Sequence, residues 1–116
     1  MKKVMVVDDE ENIRFLYQEE LRDDGYDVIT ADSGQSALDL LNSEKPDLIT
    51  LDIKMPGMDG IETLRKIKEF DKNIPVVLCT AYGQYKQDFS SWASDAYVVK
   101  SADLKELKDT IKSIIK

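Results

Sequence analysis

Five short apolar runs, each leading into a stretch whose apolar residues recur at helical spacing, fill the chain from end to end. That alternation reads as βα units around a parallel sheet, since parallel neighbours are joined by crossovers that are usually helical. The runs at residues 4–7, 28–31, 48–51, 76–79 and 96–99 are nearly continuous in apolar residues. Continuous rather than alternating strands imply helices on both sheet faces. The expected fold is therefore α/β, a three-layer, doubly wound sheet of five parallel strands.

The intervening stretches fit that plan. A first helix places Ile13, Leu16, Tyr17 and Leu21 on one face and is stopped by Gly25. A second, capped by Ser33, turns Ala37, Leu38 and Leu41 inward until Pro46. A third follows Gly60 with Ile61, Leu64 and Ile67, and Asn73-Ile74-Pro75 punctuates the entry to the fourth strand. A fourth helix rests on Tyr85, Phe89, Trp92 and Ala93, and the spacing of its three aromatics reads more readily as core than as a partner patch. A fifth starts at about Asp103 and carries Leu104, Leu107, Ile111, Ile114 and Ile115, with Asp103 and Glu106 resembling a capping box.

A length of 116 residues fits one domain, spanning 1–116, with no repeat or linker. The 23 acidic against 16 basic residues give a net charge of -7, which argues against a nucleic-acid partner. No apolar run is long enough for a membrane span, and Met1-Lys2-Lys3 leads directly into a strand, so a soluble, cytoplasmic protein without a signal peptide is expected. The lone Cys79 sits inside an apolar run and reads as a core residue.

The chemistry gathers at strand ends. Asp52 closes the third run before a turn-rich segment, Asp8 and Asp9 follow the first, Thr80 the fourth and Lys100 the fifth. Ligands of such sheets bind beyond the carboxyl ends of the strands, where strand order reverses. If the first and third strands are neighbours, three carboxylates crowd together and demand a cation. Oxygen ligands, in a chain with no histidine, favour Mg²⁺, with Mn²⁺ possible, over Zn²⁺. Asp52 is then a candidate nucleophile, Lys100 a compact charge for a phosphoryl oxygen, and Thr80 a hydroxyl donor. Taken singly, Asp8 or Asp9 reads equally as a helix cap, Thr80 as a routine strand-end residue and Lys100 as a solvated lysine. Their conjunction at four strand ends points to one site.

Val6-Val7-Asp8-Asp9-Glu10, the segment from Leu51 through Asp52, Lys54, Pro56 and Gly57 to Gly60, Thr80-Ala81 and Tyr97-Val98-Val99-Lys100 together resemble the response-regulator receiver family of two-component signalling. The resemblance covers essentially the whole chain. It implies a flavodoxin-like fold with strand order 2-1-3-4-5, like that of the chemotaxis regulator. It also implies that Asp52 accepts a phosphoryl group from a histidine kinase or histidine phosphotransfer protein. Asp9, Asp52 and the Lys54 carbonyl would ligate Mg²⁺, with Asp8 acting through water. Thr80 and Lys100 would hold phosphoryl oxygens, and Thr80 and Tyr97 would switch the surface of the fourth helix, fifth strand and fifth helix for a downstream partner. No enzyme activity of its own is implied.

Lys54 and Tyr82 would flank the acyl phosphate and slow its hydrolysis by bulk. Ser101 replaces the proline usual after the lysine, so the Lys100-Ser101 peptide is expected to be trans, because cis costs roughly 2.5–4 kcal/mol before a non-proline residue. Two other readings are an aspartate-nucleophile phosphohydrolase and a receiver-like interaction module that works without phosphorylation. The first usually has an acid two residues past the nucleophile, where Lys54 stands, and the intact acid pair with Asp52, Thr80 and Lys100 argues against the second. With Lys116 just past the fifth helix, a stand-alone receiver is expected over the front of a longer regulator.

Overall fold

The computed structural model describes residues 2–52, 60–80, 96–99 and 104–115, with only the backbone of Ile61, Thr80 and Val99. Strands β1 (Lys3–Val7), β2 (Asp27–Ala31), β3 (Leu48–Asp52), β4 (Val76–Thr80) and β5 (Ala96–Val99) form one parallel sheet in the order β2-β1-β3-β4-β5. Between and after them run α1 (Glu11–Asp23), α2 (Gly34–Glu44), α3 (Gly60–Phe70) and α4 (Lys105–Ile115), the last being the fifth helical segment of the sequence reading. The expected α/β doubly wound, flavodoxin-like topology is what forms. The segment assigned to a fourth helix, with Tyr85, Phe89, Trp92 and Ala93, lies outside the described residues.

The pleat divides each apolar strand between two cores. Val4 and Val6 join Val28, Leu48, Val77, Cys79 and Val98 beneath Tyr17 and Leu21 of α1 and Leu107 and Ile111 of α4. Met5 and Val7 face the other way, with Ile49, Leu51, Val76 and Leu78, against Ala37 and Leu41 of α2 and Leu64 and Ile67 of α3. Both sheet faces are therefore dry. Each fully buried Leu or Ile contributes roughly 1.5–3 kcal/mol through removal from water.

Two local departures have physical causes. Leu16, expected on the inner face of α1, is 38% exposed. The buried stripe follows Tyr17 and Leu21, with Ile13 packed beside it. At 100° per residue Leu16 falls on the flank of that stripe. Asp52 and Thr80, read as the first residues past their strands, are instead the last residues within them. The ladder continues one step farther, pairing Asp52 with Cys79 and Thr80 with Val99.

Two helix ends use the expected devices, while Asp103 of the expected capping box lies outside the described residues. Gly25, at φ +96°, takes the left-handed turn after α1 and its N–H donates to the Arg22 carbonyl at 2.9 Å. Ser33 caps α2 in a reciprocal box with Ser36, each side chain accepting from the other's backbone N–H at 3.1 Å.

Candidate metal and phosphoacceptor site

Register places the acids. Val7 lies opposite Leu51 in the parallel ladder, so Asp8 and Asp52 occupy successive positions at the ends of neighbouring strands. One carboxylate oxygen from each of Asp8, Asp9 and Asp52 lies within 4.8 Å of the others. Asp8 and Asp52 are buried, 2% and 6% exposed, while Asp9 is open to solvent. This is the carboxyl edge of the sheet, between β1 and β3, where strand order reverses.

The backbone around the pair is held from several sides. The Asp8 N–H donates to the Ala31 carbonyl at 3.1 Å, tying the end of β1 to that of β2. Asp8 Oδ1 accepts from the Glu10 N–H at 2.9 Å, and the Asp8 carbonyl accepts from Arg14 Nη1 at 2.7 Å. Glu10 is the N-cap of α1 but makes no side-chain cap bond, so the Asp8 carboxylate does part of the anchoring at this helix start.

Tyr17, in the core between α1 and the sheet, is 3% exposed. Burial first, then electrostatic interaction with Cys79, Asp8 and Asp52, pushes its phenol above the ordinary tyrosine range. The hydroxyl stays protonated at physiological pH.

A three-carboxylate, all-oxygen donor set in a chain without histidine fits a hard divalent ion such as Mg²⁺ or Mn²⁺. The sequence therefore located Asp8, Asp9 and Asp52 as a group. Tyr97 on β5 is half-buried, its strand neighbour being Leu78, and it packs against the α2–α3 core. Thr80 ends β4 one residue beyond Cys79, the partner of Asp52. The Thr80 side chain and the residues Lys54, Tyr82, Lys100 and Ser101 lie outside what is described, and with them the peptide geometry expected at Lys100. The bond of Arg14 and the electrostatic influence of the acids on Tyr17 were not anticipated. Helical spacing identifies Tyr17 as core and carries no sign of which charges act on it.

Comparison with known proteins agrees with this geometry. The family model of the response regulator receiver domain matches residues 4–112. Sporulation initiation phosphotransferase F of Bacillus subtilis (strain 168) is 39% identical, with 98% of this chain and 94% of that protein covered. A crystal structure of the response regulator TrrA from Thermotoga maritima, in complex with Mg²⁺-BeF, superposes with a TM-score of 0.94 at 47% identity, covering 99% of this chain and all of that one. TrrA in its complex with the histidine kinase ThkA gives a TM-score of 0.92 at 46% identity, with both chains fully covered. The chain spans about half the length of several transcriptional regulators that it also matches. The fold is that of a receiver. This chain belongs to the response regulator receiver domain family.

Proposed function

We propose that the chain, over residues 1–116, works as a phospho-accepting receiver of a two-component or phosphorelay system, with Asp52 as the acceptor. The observation that carries this reading is the meeting of Asp8, Asp9 and Asp52 at the reversal point of a receiver sheet. A carboxylate oxygen of Asp52 attacks the phosphorus of a phosphohistidine on a partner protein. The new O–P bond forms as the P–N bond breaks, and the imidazole nitrogen keeps the electron pair. The donor is another molecule, since this chain has no histidine. A histidine kinase or phosphotransfer protein is supported as donor by the TrrA complex with ThkA and by the relative named a phosphotransferase.

Asp9, Asp52 and the Lys54 carbonyl would hold Mg²⁺, with Asp8 acting through water. The ion supplies charge neutralisation where an anionic donor meets three acids. Thr80 and Lys100 are proposed to hold phosphoryl oxygens and, with Tyr97, to bias the output surface through their different contacts in the two states. Lys54 and Tyr82 are proposed to hinder water and slow hydrolysis. The protein would act in the cytoplasm as a signalling acceptor rather than a turnover enzyme, and among the described residues no helix is long and apolar enough to cross a membrane.

Intact mass after incubation with a small phosphodonor and Mg²⁺ tests the chemistry. One phosphoryl adduct is expected on the parent and none on Asp52→Asn or in chelator. An adduct persisting on Asp52→Asn would overturn the assignment of Asp52, and one forming equally well in chelator would overturn the metal requirement.

A further inference from the structure

Asp9 is the exposed member of the acid cluster, and an exposed aspartate has no packing to aim it. Its direction must come from the two peptide groups that flank it. Both are fixed. The peptide before it is held through the Asp8 carbonyl, which accepts from Arg14 Nη1 at 2.7 Å, and the peptide after it through the Glu10 N–H, which donates to Asp8 Oδ1 at 2.9 Å.

Arg14 is placed for this task by the helix it begins. Its own N–H donates to the Glu10 carbonyl at 3.1 Å, in the first turn of α1, and its side chain reaches back six residues to Asp8. The usual fastening of such a helix start, an N-cap side chain bonded to the first turn, is absent at Glu10. The guanidinium engages a carbonyl and makes no ion pair with any carboxylate of the described residues, so it holds the backbone without occupying an oxygen that a cation would need.

Resting on the reading of this edge as a divalent-metal site, we propose that Arg14 is a positioning residue that aims the Asp9 carboxylate at the cation by clamping the Asp8 carbonyl. Outer groups that orient metal ligands commonly alter affinity by 10–100-fold when removed. Arg14 acts one bond farther away, through the backbone, and an effect near the lower end is expected.

Electrostatics alone predicts the opposite sign. Removing a positive charge beside three carboxylates would tighten Mg²⁺ binding. Calorimetric titration of the full chain with Mg²⁺ alone therefore separates clamp from charge. Arg14→Ala is expected to weaken Mg²⁺ binding about tenfold. Arg14→Lys, which keeps a donor of nearly the same reach, is expected to restore most of the loss.

Affinity unchanged or tightened in Arg14→Ala, while the parent binds normally, would overturn the clamp and leave the metal-site reading intact. A parent that takes up no Mg²⁺ would overturn both. Should Arg14→Ala melt below the titration temperature, Arg14→Gln answers the same question. Its shorter side chain is expected to weaken binding, and parent-like affinity would refute the proposal.

Discussion

At the amino edge of the sheet, Asp47 and Lys3 exchange bonds across the start of two strands: the Asp47 N–H donates to the Lys3 carbonyl at 2.8 Å and Asp47 Oδ2 accepts from the Lys3 N–H at 2.8 Å. Lys3 Nζ donates in addition to the Glu44 carbonyl at 3.0 Å and pairs with Glu44 Oε1 at 3.4 Å, tying the end of α2 to β1. At the carboxyl edge, fewer than two dozen ångströms of strand away, Asp8, Asp9 and Asp52 are brought within 4.8 Å of one another. The same residue type serves opposite ends. At the amino edge, Asp47 and Glu44 are spent on local donors, which stabilises the fold. Acids at the carboxyl edge are concentrated, which creates negative potential that a cation can use. A stable sheet with one settled edge can tolerate the other being charged.

That contrast can be broken by mutation. The largest loss of stability is expected at Asp47→Ala, which removes an acceptor from a half-buried backbone N–H and should cost roughly 1–2 kcal/mol. Thermal unfolding should show the loss equally with and without Mg²⁺, and a metal-dependent loss would tie the amino edge to the site after all.

Next in size is an alkaline effect from the buried phenol of Tyr17. The phenol of Tyr17 is raised by burial and by neighbouring negative charge, so its contribution is fully present below the ordinary tyrosine value of about 10. Above that value the unfolded chain releases a proton that the folded chain keeps, and stability falls by up to about 1.4 kcal/mol per pH unit. Tyr17→Phe should flatten the decline between pH 9 and pH 11. An equally steep alkaline decline in the variant would show that Tyr17 is not the group whose ionisation the folded state suppresses.

The smallest effect should come from a pair serving neither edge. Arg65 and Glu69 on α3 meet at 3.4 Å but are 60% and 62% exposed. Arg65→Ala should change stability by only a few tenths of a kcal/mol. A loss matching that of Asp47→Ala would undo the claim that the edge contacts are special.

Much of this was legible in the residues, for reasons that also mark the limit. The strands announced themselves because a sheet covered on both faces needs apolar runs, and the order of β1 and β3 followed from family likeness, after which Asp8, Asp9 and Asp52 had to meet. Register was less accessible. Whether Asp52 and Thr80 end a strand or follow it depends on pairing with Cys79 and Val99, which is tertiary. The grip of Arg14 on the Asp8 carbonyl leaves no trace in periodicity, because a side chain bonding to backbone constrains its own type but not its partner's. Leu16 shows the converse: helical spacing grouped it with Ile13, Tyr17 and Leu21, and the full angle around α1 placed it on the flank of their stripe.

The central claim is that the carboxyl edge is completed by a divalent ion and the amino edge by its own side chains. Thermal unfolding of the parent, Asp9→Asn and Asp47→Ala, each with Mg²⁺ and in chelator, tests it most directly. Mg²⁺ at about a hundred times its dissociation constant should stabilise the parent by about 2.7 kcal/mol. The same shift should appear in Asp47→Ala from a lower starting point. Asp9→Asn should melt in chelator no lower than the parent and gain little from the ion. A parent indifferent to Mg²⁺, or an Asp9→Asn variant that keeps the full shift, would contradict the account.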